Sequence, residues 1–364
     1  SYSFSLTLLA KNNFNICFEI FMIQNVKGML SGFTKIIQKN ISKDNNPKTY
    51  DQIYYLITKF YIINIGINCD LKYPLLPNTK KYDYQWLIRD IKNTLDFNID
   101  SNLLNSNFKY LTNYVLEKLD SYSSKDCNYN VTHNNDQLIL TIDNNKHYVQ
   151  VNTDLYNKLK NTYYGPDDKF NDIVFVLMMR YTLFGKKKET ISLSANFIYD
   201  NKKITDKIKL DVELFGSPIN RNLKKYCSLY PDIEKYFGSI GSIFCLDENI
   251  WKNNTYFVAN PPFDEYIMLK MSNLIIDILN NYENKCFIII IPDWRPSGKY
   301  TNIKYDTYDI LSQSKYKNIE ITDSNINYYD YFRNTKIKIG ATGTIIFVLS
   351  NFNTPLTHND FSIN

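Results

Sequence analysis

Apolar residues recur every three to four positions through the first third of the chain, then give way to alternation and short continuous runs. Ile53, Leu56, Ile57 and Phe60 share one helical face. Phe108, Leu111, Val115 and Leu119 share another, with Ser106 as the expected N-cap. Lys and Asn fill the opposite faces. Residues 121–136 are polar and loop-like. The pattern therefore predicts a helical accessory domain over 1–125 and a second domain over 126–364. Beyond that boundary Leu138, Leu140 and Ile142 alternate, a turn falls at Asp143 to Lys146, and Tyr148 to Val151 return, as in a hairpin. Helices are expected from Leu155 to Lys160 and again from Pro166, the latter ending at Gly185 before the run Lys186 to Lys188.

From about 165 to 350 strands and helices alternate. Ile208, Leu210 and Val212 alternate as a strand, and a short helix is expected over Asn222 to Leu229. Tyr236 to Phe244 reads as a glycine-serine loop entering a strand. Tyr256 to Ala259 is a short apolar strand. Asp264 should cap an amphipathic helix carrying Ile267, Met271, Leu274, Ile275 and Ile278 inward. Phe287 to Ile291 is an unbroken apolar run, as a strand buried on both faces requires. Ile319 to Ile321 and Thr344 to Leu349 suggest a closing pair. This order implies an α/β fold with a mostly parallel, doubly wound sheet. Ligands of such sheets sit beyond the carboxyl ends of the strands. Those ends carry Glu213, the glycine-serine loop, Asn260-Pro261-Pro262-Phe263 and Trp294-Arg295.

The tetrapeptide Asn260-Pro261-Pro262-Phe263 is the most informative of these ends. Two prolines remove two backbone donors and stiffen the turn. Asn260 adds a side-chain carbonyl, and Phe263 adds a flat apolar face. A planar base with an exocyclic amine fits these parts. The Asn260 oxygen and the Pro261 carbonyl can accept both amine hydrogens while Phe263 stacks on the ring. Trp294 can stack a base or simply pack under its strand. Arg295 can meet phosphate as a planar fork or pair with Asp293 or Glu265. Glu265 can accept from a guanine edge or face only its helix dipole. Glu213 stands where such sheets place an acid for ribose hydroxyls, the alternative being a surface carboxylate. Gly238 and Gly241 can admit a ligand close to the backbone or belong to an ordinary loop.

Composition narrows the classes. The chain has 364 residues, 42 basic and 37 acidic, for a net charge of +5, which permits nucleic-acid binding without demanding it. Its six cysteines are scattered and its three histidines lie far apart, so no metal site is expected. The cysteines read as reduced and the protein as intracellular. No apolar run reaches the roughly 18 residues of a membrane span.

Glu213-Leu214-Phe215-Gly216-Ser217-Pro218-Ile219-Asn220, Lys225-Tyr226-Cys227-Ser228, Pro231-Asp232, Tyr236-Phe237-Gly238-Ser239, Asn260-Pro261-Pro262-Phe263 and Ile291-Pro292-Asp293-Trp294-Arg295 form one ordered series. The series resembles the phosphorylated-CTD-interacting factor family of cap-specific adenosine-N6 methyltransferases, over about residues 138–352. The resemblance implies a helical domain beside a Rossmann-like class I methyltransferase core. It implies S-adenosyl-L-methionine as methyl donor and the cap-adjacent 2′-O-methyladenosine of capped mRNA as substrate. Asn260, Pro261, Pro262 and Phe263 would then be catalytic and hold donor and adenine, with Glu213 and Gly238 on the donor side. Glu265, Trp294, Arg295, Pro296, Ser297 and Gly298 would bind the capped RNA. A DNA or internal-RNA adenine methyltransferase, and an inactive RNA-binding subunit of the same fold, are the alternatives. The tryptophans are Trp86, Trp251 and Trp294 alone, without the close pair of a WW module. Binding to the tail of RNA polymerase II is therefore not expected. The bias toward residues with AT-rich codons and the missing module fit a viral or plasmid-like relative.

Overall fold

The computed structural model describes residues 14–41, 47–69, 71, 73–76, 83–123, 128–142, 145–183, 193–295, 305–332, 334–338 and 343–361. They fall into two compact units, one drawn from 1–160 and 165–188, the other from 161–164 and 189–364. By packing, the boundary therefore lies later than 125/126.

In the first unit, helices α1 (Ile16–Ile41), α2 (Pro47–Ile67), α3 (Tyr84–Leu95) and α4 (Ser101–Asp120) form a bundle. The face expected of α2 is buried at Ile53, Leu56, Ile57 and Phe60. Phe33 and Phe108 meet edge to face at 4.9 Å. Asp100, not Ser106, caps α4, accepting from the Asn102 amide at 2.8 Å. Ser106 lies inside the helix and donates to the Asn102 carbonyl. Strands β1 (Tyr129–Asn134), β2 (Gln137–Ile142) and β3 (Asn145–Gln150) make an antiparallel sheet. Helices α5 (Thr153–Asn161) and α6 (Phe170–Tyr181) follow. On α6, Arg180 is fully buried and paired with Glu19 at 2.8 Å. The expected turn at Asp143-Asn144 and the stretch Gly185 to Lys188 lie outside the described residues.

The second unit is built on a five-stranded sheet. Its strands are β5 (Val212–Glu213), β6 (Tyr256–Ala259), β7 (Cys286–Pro292), β8 (Lys317–Asp323) and β11 (Thr344–Ser350), ordered β5-β6-β7-β11-β8. β5, β6 and β7 are parallel, while β11 runs antiparallel between β7 and β8. β8 therefore points the same way as β5, β6 and β7, and β11 is the one reversed strand of the five, in keeping with the mostly parallel sheet expected. The sheet also continues past β5. Tyr226 bridges in parallel to Glu213 on one side and to Ser239 on the other. The short helix expected over Asn222 to Leu229 is therefore an extended segment. Its amides and carbonyls are used by the sheet, as in the bond from Cys227 N to the Glu213 carbonyl at 2.8 Å. The strand expected after the glycine-serine loop is a 3-10 turn, Ile243–Cys245.

A second small sheet, β10 (Thr335–Lys338), β9 (Asn327–Asp330) and β4 (Leu193–Ser194), lies in the same unit. β7 is buried at every position, which explains its unbroken apolar run. Helix α7 (Glu265–Asn281) packs Ile267, Met271, Ile275 and Ile278 inward. Helix α8 (Asp306–Ser312) follows β7. Among the described residues no helix is long and apolar enough to cross a membrane. No group of three or more His, Cys, Asp or Glu among them could hold a metal ion. Cys17, Cys69 and Cys245 are disulfide-bonded, which corrects the reading of all six cysteines as reduced. Scatter along the sequence does not report distance in space. Cys227 and Cys286 are free and buried.

Candidate active site at the carboxyl ends of the parallel strands

β6 ends at the buried Ala259, and the next residue opens the Asn-Pro-Pro-Phe corner. Neither proline can donate, so the turn is closed from beyond them. The Asp264 amide donates to the Pro262 carbonyl at 2.7 Å. The Asp264 carboxylate then caps α7, accepting from the Tyr266 and Ile267 amides at 3.0 and 3.3 Å. The corner is therefore fixed between a buried strand and a capped helix. The turn occupies the Pro262 carbonyl and does not use that of Pro261.

The Asn260 side chain is turned by its own chemistry. Its Nδ2 donates to the Leu193 carbonyl at 3.4 Å. Its Oδ1 is buried and meets no donor among the described residues. Buried polar atoms are nearly always paired, and an orphan acceptor costs about 1–3 kcal/mol. This atom is suited to a donor that arrives with a ligand. Phe263 beside it is half-buried. Tyr328 meets it edge-on at 5.8 Å and Trp294 does so at 6.5 Å. Trp294 in turn lies 5.9 Å from Tyr305. The Tyr305 hydroxyl donates to the Pro292 carbonyl at 2.6 Å, and burial raises its pKa. An aromatic wall thus connects the end of β6 to the end of β7.

The other expected residues are engaged by the protein itself. Arg295 offers its Nε and one terminal nitrogen to the two oxygens of Asp293, each at 2.7 Å. It also donates to Thr322 Oγ1 at 3.0 Å and lies 5.3 Å from the Tyr308 ring centre. Its fork is directed at a carboxylate, the pairing left open in the sequence. That pairing holds the Asp293 carboxyl below its ordinary value. Glu265 is buried, and its Oε1 accepts from the Thr307 amide at 2.9 Å, at the start of α8. Glu213 is buried, and its Oε2 accepts from the Asn222 and Leu223 amides at 2.8 and 3.2 Å. Gly238 has φ +95°, and a Cβ there would lie 2.9 Å from the Lys224 carbonyl. Its glycine is explained by this turn, and the space it leaves is filled by the neighbouring strand. Pro296, Ser297 and Gly298 lie outside the described residues.

Leu193, Asn220, Tyr328 and Tyr305 are at the site and were not anticipated there. Leu193 arrives from a two-residue strand too short to show a period. Tyr328 arrives from β9, some sixty residues downstream of the corner by sequence position. Asn220 did carry a signal, because Ser-Pro-x-Asn is a side-chain-capped turn.

Fold and site together define a mixed α/β protein with an Asn-Pro-Pro-Phe corner at the end of a parallel strand. The family described as phosphorylated CTD interacting factor 1 WW domain matches residues 152–331. The chain is similar to this family over just under half of its length. It is also 42% identical over 84 residues to the mouse and human proteins named mRNA (2′-O-methyladenosine-N(6)-)-methyltransferase. That match covers 23% of this chain and 11% of each relative, so the chain spans only a small part of the curated relatives' length.

The family match overturns the expectation that no WW module is present and that contact with the polymerase tail is not to be expected. That expectation rested on the spacing of two tryptophans, a local signature. The match extends over a long α/β stretch, on which tryptophan spacing is no test. The argument for a viral or plasmid-like relative loses the missing module as its support.

Proposed function

We infer that this chain is an S-adenosyl-L-methionine-dependent methyltransferase acting on N6 of the cap-adjacent (2′-O-methyl)adenosine of capped mRNA. The observation that carries the reading is the buried, unpartnered Oδ1 of Asn260 beside the half-buried Phe263. The names of the mouse and human relatives support it. So does the order of the sheet, parallel on one side with an antiparallel strand inserted near the other edge. This is what a Rossmann-like methyltransferase core would require.

The chemistry follows from the residues. The lone pair of an adenine amine is delocalised into its ring, which makes it a poor nucleophile. Asn260 Oδ1 and the Pro261 carbonyl would each accept one amine hydrogen, localising the lone pair and fixing its direction. Phe263 would stack on the base, a contact of about 1–3 kcal/mol. Positioning of this kind accounts for most of the acceleration in a direct transfer. S-adenosylmethionine, when bound, supplies an electrophilic methyl group on a sulfonium. The methylated amine is briefly cationic, and the proton held at Asn260 Oδ1 passes to water. The chain's fit to the donor is good at the corner and poor at Gly238, where Lys224 occupies the space.

Mass spectrometry of cap dinucleotides after reaction tests the reading. Added methyl mass on the cap-adjacent adenosine is expected. Equal rates on capped and uncapped RNA would remove the cap from the proposal and leave an internal-RNA or DNA adenine methyltransferase. One observation favours an inactive RNA-binding subunit instead: the Glu213 oxygen is taken by two backbone amides. Calorimetry with S-adenosylhomocysteine separates the two, since an inactive subunit would give no heat of binding.

A further inference from the structure

We propose that Asn220 is a positioning residue that decides which end of the Asn260 amide faces the nucleobase. The proposal rests on the adenine-amine reading above and deepens it. The Leu193 carbonyl accepts from Asn220 Nδ2 at 3.1 Å and from Asn260 Nδ2 at 3.4 Å. A carbonyl can only accept. While it stays in place, Asn260 must turn its nitrogen toward it and its oxygen away. An Asn260 amide rotated by half a turn would present N–H to an amine that itself donates, and the site would repel its substrate.

The carbonyl is held on several sides. Asn220 is 6% exposed, and its Oδ1 accepts from the Ser217 amide and the Ser217 hydroxyl, both at 2.8 Å. That pairing fixes the Asn220 amide with its nitrogen toward Leu193. Ser194, next in the chain, accepts from Asn222 Nδ2 at 2.7 Å. Leu193 and Ser194 also pair with Asp330 and Tyr329 of β9. The order of control runs from Ser217 to Asn220, to the Leu193 carbonyl, to Asn260. Asn220 itself touches neither base nor donor in this scheme.

Asn220→Asp tests the scheme, because it keeps the size and the acceptor for Ser217 and removes the donor to Leu193. In methyl transfer, kcat should fall about tenfold, the loss of about 1.4 kcal/mol, while KM for the donor stays within about twofold. The deficit should narrow as pH is lowered, because the carboxyl introduced by this substitution can donate again once protonated. On an Asn260→Asp background, which already lacks the amide, Asn220→Asp should cost less than about twofold. A second readout needs no activity. The Asn260 side-chain NH2 signal, assigned by its loss in Asn260→Asp, should shift or broaden in Asn220→Asp, and in the same direction but less in Ser217→Ala. An unchanged Asn260 signal, or the same activity loss in both backgrounds, would overturn the proposal. If the wild-type chain methylates no RNA, the functional reading fails and the amide signal still decides this one.

Discussion

At the residue scale the molecule turns on one oxygen. Asn260 Oδ1 is buried without a partner among the described residues, while the other end of the same amide is bonded to Leu193. Replacing Asn260 by Ala removes the acceptor and relieves that burial cost, so it should not unfold the protein. The expected outcome is a loss of about 10²–10³ in kcat, the usual cost of deleting one aimed hydrogen-bonding group. The melting temperature should stay within a few degrees; retained transfer would count against Asn260 as the amine acceptor. The residues Asn260 to Phe263 were legible in the sequence because diproline stiffness and an amide acceptor are local properties. The partners of Arg295, Glu265 and Glu213 were not. Each carboxylate or guanidinium had several chemically equal options, and only proximity in space chose Asp293, Thr307 and Asn222.

At the element scale the fixed points are the strand ends and the cap of α7. Asp264 was read as the cap, and it accepts from two first-turn amides. Asp264→Ala should cost about 1–2 kcal/mol, read as a shift of the urea midpoint. The amide of residue 264 that closes the Asn-Pro-Pro-Phe turn is kept by this substitution, so the loss should appear in stability, with transfer at low temperature changed by less than about threefold. The end of β7 carries a pH signature. Two hydrogen bonds from Arg295 hold the Asp293 carboxyl below its ordinary 3.8. A carboxyl depressed by folding contributes stability that is present above its unfolded value and lost as pH falls through the folded one. Stability of the wild type should therefore fall more steeply below about pH 4 than that of Asp293→Asn. Parallel acid-unfolding curves for the two proteins would show that the pair adds nothing. The segment Asn222 to Leu229 shows why elements were misread. Its residues suit a helix locally, but Tyr226 is needed as a rung between Glu213 and Ser239, and sheet pairing outweighs weak helix propensity.

At the scale of the whole molecule the charge is nearly balanced, with 42 basic and 37 acidic residues. A chain gripping RNA mainly by six to ten phosphate contacts would lose about 10³–10⁵ in affinity between 50 and 200 mM salt. With so small an excess, discrimination should rest on the aromatic and amide contacts of the site. Affinity for capped RNA should then fall less than about tenfold over that range, as measured by fluorescence anisotropy. A steep salt dependence would instead place the binding energy on a phosphate-tracking surface.

By itself the sequence determined whatever depends on neighbours along the chain. It settled the buried faces of α2 and α7, the continuous run of β7, the cap at Asp264 and the stiffness of the Asn-Pro-Pro-Phe corner. Tertiary structure alone decided what depends on distance in space. It placed β11 antiparallel between β7 and β8, put Cys17, Cys69 and Cys245 into disulfides, and brought Leu193 to Asn260. The reason is physical: periodicity and backbone sterics act over a few residues, whereas a hydrogen bond or an ion pair is indifferent to how many residues separate its partners.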